Sequence, residues 1–376
     1  MPTVQEAITR LGSRLSYGEA QEELEMLWGV TISKTSVRNT TMRYGKVAQQ
    51  LVDEQVEALH QGKESTEKEN PPEKVIISTD GAMIHTTSGE WREVKTVAMG
   101  EFKQVWDAKK NEIKTKTEGI SYFSRLEDAS QFGHSAIYEW KRRNADEAQE
   151  VVTVNDGAQW IQSFIDYHCP HATRVLDLAH ARGYVAKIGK LIHGAESDMF
   201  KQWYPQMSKQ LYTMPPQRTL NDLRFLRQTH QEHVEFAELD QAIRYLEKRE
   251  EMIDYPHFRQ QGIPIGSGIV ESAHRVVMHR RMKQAGMRWG EDNINPMLTL
   301  RAALCNQRWS QSWQAIQQQV LASPTKKATQ DATSSVDSHV IDENDISRLE
   351  KFAASIDPEQ KCKPWSNHRF IFPHRY

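Results

Sequence analysis

The stretch VVTVNDGAQWIQSFIDYHCPHATRVLDLAHARGYVAKIGKLI, residues 151–192, carries the reading of the fold. VVTV is a run of β-branched residues that ends in a turn signal, Asn155-Asp156-Gly157. AQWIQSFIDYHC is amphipathic at helical spacing and is stopped by Pro170. RVLDL reads as a second strand and HARGYVAKIGKLI as a second helix. Alternating strand and helix predict a parallel portion of sheet, because parallel neighbours need a crossover connection.

Upstream, VIIST (75–79) is a buried-strand candidate that ends at Asp80-Gly81. WREVKTVAMGEF and EIKTKTEGISYF alternate well enough to be the next two strands of a meander, and LEDASQFGHSAIYEWKRRN reads as helical. Three strands followed by alternating helix and strand give an α/β fold with a mixed sheet.

The first 60 residues read as helices. Thr3 with Glu6, and Ser16 with Glu19, fit capping boxes. A helix from Tyr17 to Trp28 is stopped by Gly29, and Ser33 can cap the next, KTSVRNTTMRYGKVAQQLVDEQVEAL. Helix, short glycine turn and helix form a helix-turn-helix pattern. Lys34, Arg38, Arg43 and Lys46 on the second helix suit a DNA groove, and no acid occurs between Glu25 and Asp53. A helical hairpin used only for packing has the same pattern. Residues 61–74 are a polar linker ending in Pro-Pro. The α/β domain then begins at 75–194, residues 195–262 are a helical insertion, 263–321 bring the last helices, and 322–376 form a flexible linker and basic aromatic tail.

The chain of 376 residues is 38% hydrophobic with a formal net charge of -2, so a folded core is expected and any nucleic-acid surface must be local. Three separated cysteines, with no CxxC pair, argue against a disulfide framework or zinc ribbon and for a reducing cytosol. No signal-type or membrane-spanning segment is evident, so no membrane partner is expected.

Asp80 and Asp156 share a setting: each follows a short apolar strand and precedes glycine. Sites in open α/β sheets form at the carboxyl ends of strands, and carboxylates there suit a hard cation such as Mg²⁺. Asp-Gly is equally ordinary turn chemistry. The third candidate lies in IPIGSGIVESAHRVVMHRRMKQAGMRW, residues 263–289. Glu271 falls in the first turn of a helix, where the dipole favours an anion by roughly 0.3–1 kcal/mol. From Ser272 to Gly290 no other acid occurs, while Arg275, Arg280, Arg281, Lys283 and Arg288 do. Such a helix fits a phosphate backbone. At helical spacing His274, Arg275, Met278 and Met282 share the side of Glu271. Trp289 is a candidate for stacking on a displaced base or for core packing. His274 and His279 have no convincing metal spacing.

These motifs carry a resemblance. STDGAMIHT with EWREVK, VNDGAQWI, RVLDLAHA, and IPIGSGIVESAHRVVMHRRMKQAGMRW followed by NPMLTLRAAL resemble DDE transposases of bacterial insertion sequences, in particular the Kra-type group of the Mutator-like set. The likeness covers about residues 16–310. It implies a ribonuclease-H-like domain with a helical insertion before the last acid, and Asp80, Asp156 and Glu271 as a catalytic triad holding two Mg²⁺ (or Mn²⁺) ions. It also implies a role for Asp177 and His180, which match a further signature: His180 contacting the scissile phosphate or orienting a ligand, with Asp177 holding its tautomer. An Asp cap and a packed His are the plain alternative. The implied partners are double-stranded DNA, as terminal inverted repeats and target, and further copies of the chain, in the bacterial cytosol at the nucleoid. One helix precedes the helix-turn-helix, which is short for this group. A catalytically silent regulator and a structure-selective nuclease are the other readings.

Overall fold

The computed structural model describes residues 4–63, 68–108 and 111–322; Thr3, Cys362 and the basic aromatic tail lie outside them. The described chain forms two compact units, one of residues 4–45 with 317–322 and one of residues 46–316.

The first unit contains α1 (Val4–Arg14), α2 (Tyr17–Trp28) and the start of α3 (Lys34–His60). The Ser16 box forms as expected: the Glu19 amide donates to Ser16 Oγ at 3.3 Å and the Ser16 amide to Glu19 Oε2 at 2.8 Å. Gly29 ends α2 at φ 64°, a left-handed conformation open to glycine. Ser33 Oγ then accepts from the Ser36 amide at 3.1 Å and starts α3. Ile8, Leu24 and Val37 meet in the small core of these helices. Lys34, Arg38 and Arg43 are exposed, whereas Thr41 is fully buried and its hydroxyl donates to the Val37 carbonyl. α3 runs unbroken past Gly45, where the units divide.

The second unit is built on a five-stranded sheet. Its elements are β1 (Lys74–His85), β2 (Trp91–Asp107), β3 (Glu112–Arg125), α4 (Ala129–Ser135), α5 (Ile137–Arg142), β4 (Glu150–Asn155), α6 (Gln159–His168), β5 (Thr173–Leu176) and α7 (Leu178–His193). The insertion follows as α8 (Asp198–Thr213), α9 (Pro216–Thr229), α10 (Phe236–Glu247) and α11 (Tyr255–Gln260), and its described residues include no strand. A helix then runs as α12 (Gly268–Ala273), a π turn (His274–His279) and α13 (Arg280–Met282), before α14 (Ile294–Cys305) and α15 (Trp309–Ala322).

Strand order is β3-β2-β1-β4-β5, antiparallel from β3 to β1 and parallel from β1 to β5. The fold is therefore mixed α/β. Ile76 and Ile77 are each 1% exposed, so both faces of β1 are covered, since successive strand residues point to opposite faces. On one face Val75, Ile77, Val97 and Met99 pack with Phe132, Trp140 and Phe164 from α4, α5 and α6. Full burial of each large apolar side chain contributes about 1.5–3 kcal/mol. On the sheet, α12 packs against β1 and β2, and α14 against β3.

Two details differ from the sequence reading. β1 does not stop at Thr79 but runs to His85, because antiparallel pairing with β2 continues to His85–Trp91 while parallel pairing with β4 ends at Ile77–Thr153. Part of the polar linker is pinned: Glu69 meets Arg143 and Arg308, each at 2.6 Å, and Arg308 also grips the buried Glu139 at 2.7 Å. Among the described residues no helix is long and apolar enough to cross a membrane.

Candidate functional site

The register of the parallel strands puts three aspartates in one row. Ile77 pairs with Thr153, and Thr153 with Arg174. Three residues further along each strand path stand Asp80, Asp156 and Asp177. Asp156 and Asp177 lie just past the paired ends of β4 and β5, whereas Asp80 lies beyond the parallel pairing but is still held against Thr96 of β2. The Thr79 amide donates to Asn155 Oδ1 at 2.6 Å, tying β1 to β4 one residue before the acids.

Each acid is fixed differently. Asp80 Oδ1 accepts from the Gly81 amide at 2.7 Å. Burial, followed by the charges of Asp156 and Glu93, pushes its carboxyl up to about 6 against the opposing Gly81 hydrogen bond. Asp156 Oδ1 accepts from the Ala158 amide at 2.9 Å, an Asx turn. Gly157 then takes φ 79°, and a Cβ there would meet the Tyr245 hydroxyl and Arg249 Nε at 2.6 Å, so glycine is required. Those two side chains come from the insertion and its edge. The Tyr245 hydroxyl donates to the Asp156 carbonyl and Arg249 Nη2 to the Gly157 carbonyl at 2.7 Å. Arg249 stacks 3.7 Å above the Tyr245 ring, which stacks at 3.8 Å on Tyr184. The Tyr255 hydroxyl reaches the Leu176 carbonyl at 2.9 Å from a fully buried position.

Asp177 departs from its expected part. Oδ1 accepts from the His180 amide at 2.8 Å, and Oδ2 accepts from the Ser267 amide at 2.8 Å and its hydroxyl at 3.0 Å. The carboxylate caps α7 and staples it to the glycine turn before α12; it does not hold the His180 ring. Such a cap contributes about 1 kcal/mol. The His180 ring lies 5.4 Å from that of Tyr184 and 6.0 Å from that of Tyr245.

Glu271 is exposed in α12, and among the described residues its carboxylate meets no cation. An open cleft of about 540 Å³ is lined by Asp80, Asp156, Asp177, His180 and Glu271 together, with Tyr184, Lys187 and Ser267. The fold thus brings the three candidate acids and His180 to one place. Behind Asp80 sits His274, only 7% exposed, with Nδ1 3.8 Å from Asp80 Oδ2. Burial first, then the nearby His279, drives its pKa down to about 4, so it stays neutral and offers Asp80 no counter-charge.

The basic helix has one buried face, not cations all round. His274, Met278 and Met282 are buried, while Arg275, Arg280 and Lys283 are exposed with Glu271. The π turn is the reason: the Arg280 amide donates to the Arg275 carbonyl, five residues back, so the exposed row steps from Arg275 to Arg280. The buried Arg301 of α14 meets the loosened carbonyls, donating to Val277 at 3.1 Å and also to Val276. Arg281 is turned inward, 1% exposed, 5.2 Å over the Trp289 ring. Trp289 is itself buried, donates from Nε1 to the Met282 carbonyl at 2.9 Å, and pairs its backbone with the end of β1. Arg281 and Trp289 are therefore structural here and not open to DNA, whereas Arg288 is exposed.

The cleft is lined mainly by carboxylates, and its one lysine, Lys187, is paired with Glu238; among the described residues no Lys or Arg is paired with Asp80 or Glu271, and that chemistry fits a hard divalent ion. As they stand, no three His, Cys, Asp or Glu side chains among the described residues are arranged to hold a metal ion. The sequence reading missed Tyr184, Lys187, Tyr245 and Arg249, none of which belongs to a motif. Ser267, in the glycine turn, reads from the sequence as the cap of the helix that carries Glu271, but its side chain makes no cap hydrogen bond to α12 and its hydroxyl donates to Asp177 instead.

The chain belongs to an uncharacterised protein family (UPF0236), whose family model matches residues 2–318. No curated protein matches the chain.

Proposed function

We propose that this family member is a DDE-type transposase that cuts and joins DNA strands at the ends of its own element. The observation that carries the reading is the row of aspartates, Asp80 within β1 and Asp156 and Asp177 just past the ends of β4 and β5, that lines one open cleft with Glu271. The strand order, three antiparallel strands followed by two parallel ones with a helical insertion before Glu271, supports a ribonuclease-H-like arrangement.

In this reading Asp80, Asp156 and Glu271 would hold two Mg²⁺ (or Mn²⁺) ions, which would supply charge stabilisation to a phosphodiester displacement. The chain's own residues do the rest. The Tyr245 and Arg249 clamp keeps the Asp156 turn from moving under the charge of the substrate. Asp177 fixes the glycine turn that leads into α12, the helix that carries Glu271. His180 lies in the cleft as a contact to the scissile phosphate. Arg275, Arg280, Lys283 and Arg288 hold neighbouring phosphates. Water attacks first, releasing a 3′-hydroxyl; that hydroxyl then attacks target DNA, and one phosphodiester is exchanged for another. Lys34, Arg38 and Arg43 bind the inverted repeats through α2 and α3 as a helix-turn-helix. Pairing two ends requires more than one copy, acting at the nucleoid in the bacterial cytosol.

The test replaces Asp80, Asp156 or Glu271 with alanine and follows Mg²⁺-dependent strand cleavage and strand transfer. Loss of both steps in all three supports the reading, and full activity in all three refutes it. A structure-selective nuclease would cleave without joining. A catalytically silent regulator would bind DNA in every variant and cleave in none, wild type included.

A further inference from the structure

α7 carries two glycines in its interior, and only one is explained by packing. At Gly189 a Cβ would meet the Trp203 ring at 2.6 Å, so the neighbouring helix demands the glycine. At Gly183 a Cβ would meet nothing within 4 Å, and the residue has no positive φ. A glycine in a helix interior loses stability relative to alanine, through the greater freedom of the unfolded chain. Without a Cβ at this position the helix backbone is open to close approach from outside the fold.

Gly183 is exposed and lines the cleft beside Asp80, Asp156 and Glu271. One helical turn further along the same wall is Lys187, about 6 Å away along the axis. Its Nζ lies 3.3 Å from Glu238 of α10, both side chains being substantially exposed. An exposed pair of this kind is held weakly, so an anion in the cleft can displace Glu238. Tyr184, locked against Tyr245, keeps this part of α7 rigid.

We propose that this face of α7 is a track for the sugar–phosphate backbone of one DNA strand, with Gly183 the point of closest approach and Lys187 a phosphate contact beyond it. The assignment rests on the DNA-processing reading of the cleft and adds to it where the strand lies. Lys187 and Gly183 are positioning residues that bring the strand against the acids.

The experiment measures binding of a fluorescein-labelled DNA duplex by anisotropy across a salt series, with Ca²⁺ in place of Mg²⁺, alongside thermal melting. Gly183→Ala is expected to raise Tm by about 2–4 °C and yet weaken binding several-fold. Gly183→Leu is expected to weaken binding about tenfold, through a side chain projecting into the track. Lys187→Gln is expected to reduce the log–log salt slope by about 0.9, the loss of one phosphate contact. Wild-type affinity in Gly183→Ala together with a wild-type salt slope in Lys187→Gln overturns the track while leaving the DNA reading intact. A wild-type protein that binds no duplex overturns both. Should Gly183→Leu fail to fold, the other two variants still decide.

Discussion

Asp80→Asn separates the stability of the site from its function. The Asp80 carboxyl rises from 3.8 to about 6 in the folded protein. Below both values it is neutral whether folded or unfolded and costs nothing. Between them the unfolded chain ionises first, so stability falls as pH rises through this window. The full penalty is present above about pH 6. A shift of roughly two units corresponds to about 3 kcal/mol if taken whole. The side chain is 43% exposed, however, and solvent screening reduces this to about 1 kcal/mol. Asparagine removes the charge and can still accept the Gly81 amide hydrogen bond. Metal-free Asp80→Asn is therefore expected to melt about 2–4 °C above wild type at pH 7.5, with the gain fading toward pH 4.5. Added Mg²⁺ should raise the wild-type Tm and leave the variant unmoved. Calorimetry at both pH values, with and without Mg²⁺, reads all of this. An Asp80→Asn protein that melts below wild type at pH 7.5 refutes the charge argument, and equal Mg²⁺ shifts refute the placement of the metal.

Three further outcomes follow from contacts outside the acids. Arg308→Leu strands the buried Glu139 and takes from Glu69 one of its two arginine partners, and should cost about 3–5 kcal/mol in chemical denaturation. Tyr245→Phe releases the Asp156 carbonyl, so cleavage should fall at least tenfold while Tm moves by only a few degrees. Arg301→Leu leaves the Val276 and Val277 carbonyls without their guanidinium partner; stability should fall by about 1–3 kcal/mol, and hydrogen exchange should speed up in residues 274–282 before it does in the sheet.

The parts of this fold legible in the sequence are those set by local chemistry. The Ser16 box, the Gly29 stop and the Ser33 cap depend on side chains within three or four residues of the backbone they satisfy. The strand–helix alternation of residues 151–192 likewise appears as β4, α6, β5 and α7. What the sequence hides is set by distant partners. Asp80 looks like the end of a strand because Asp-Gly is a turn signal, but β2 continues beside it and holds it extended. The basic helix looks cationic on several sides at a period of 3.6. The π turn changes that period locally, and Arg301, which satisfies its Val276 and Val277 carbonyls, lies more than twenty residues away. Trp289 and Arg281 look like DNA contacts until they are found stacked on each other in the interior. Asp177 sits in a functional-looking motif, but its partner Ser267 comes from beyond the insertion. Tyr245 and Arg249, which hold the Asp156 turn, are ordinary insertion residues until the fold brings them there.

The most direct test of the central claim is strand cleavage by the purified protein on DNA carrying both boundaries of its own gene, with Mg²⁺ or Mn²⁺, comparing wild type with Asp80→Asn, Asp156→Asn and Glu271→Gln. The account predicts nicks at the boundaries and joined products with wild type, neither with any of the three variants, and retained DNA binding in all. Cleavage that survives loss of any two of these acids, or a wild-type protein that binds these ends and never cuts them, would contradict it.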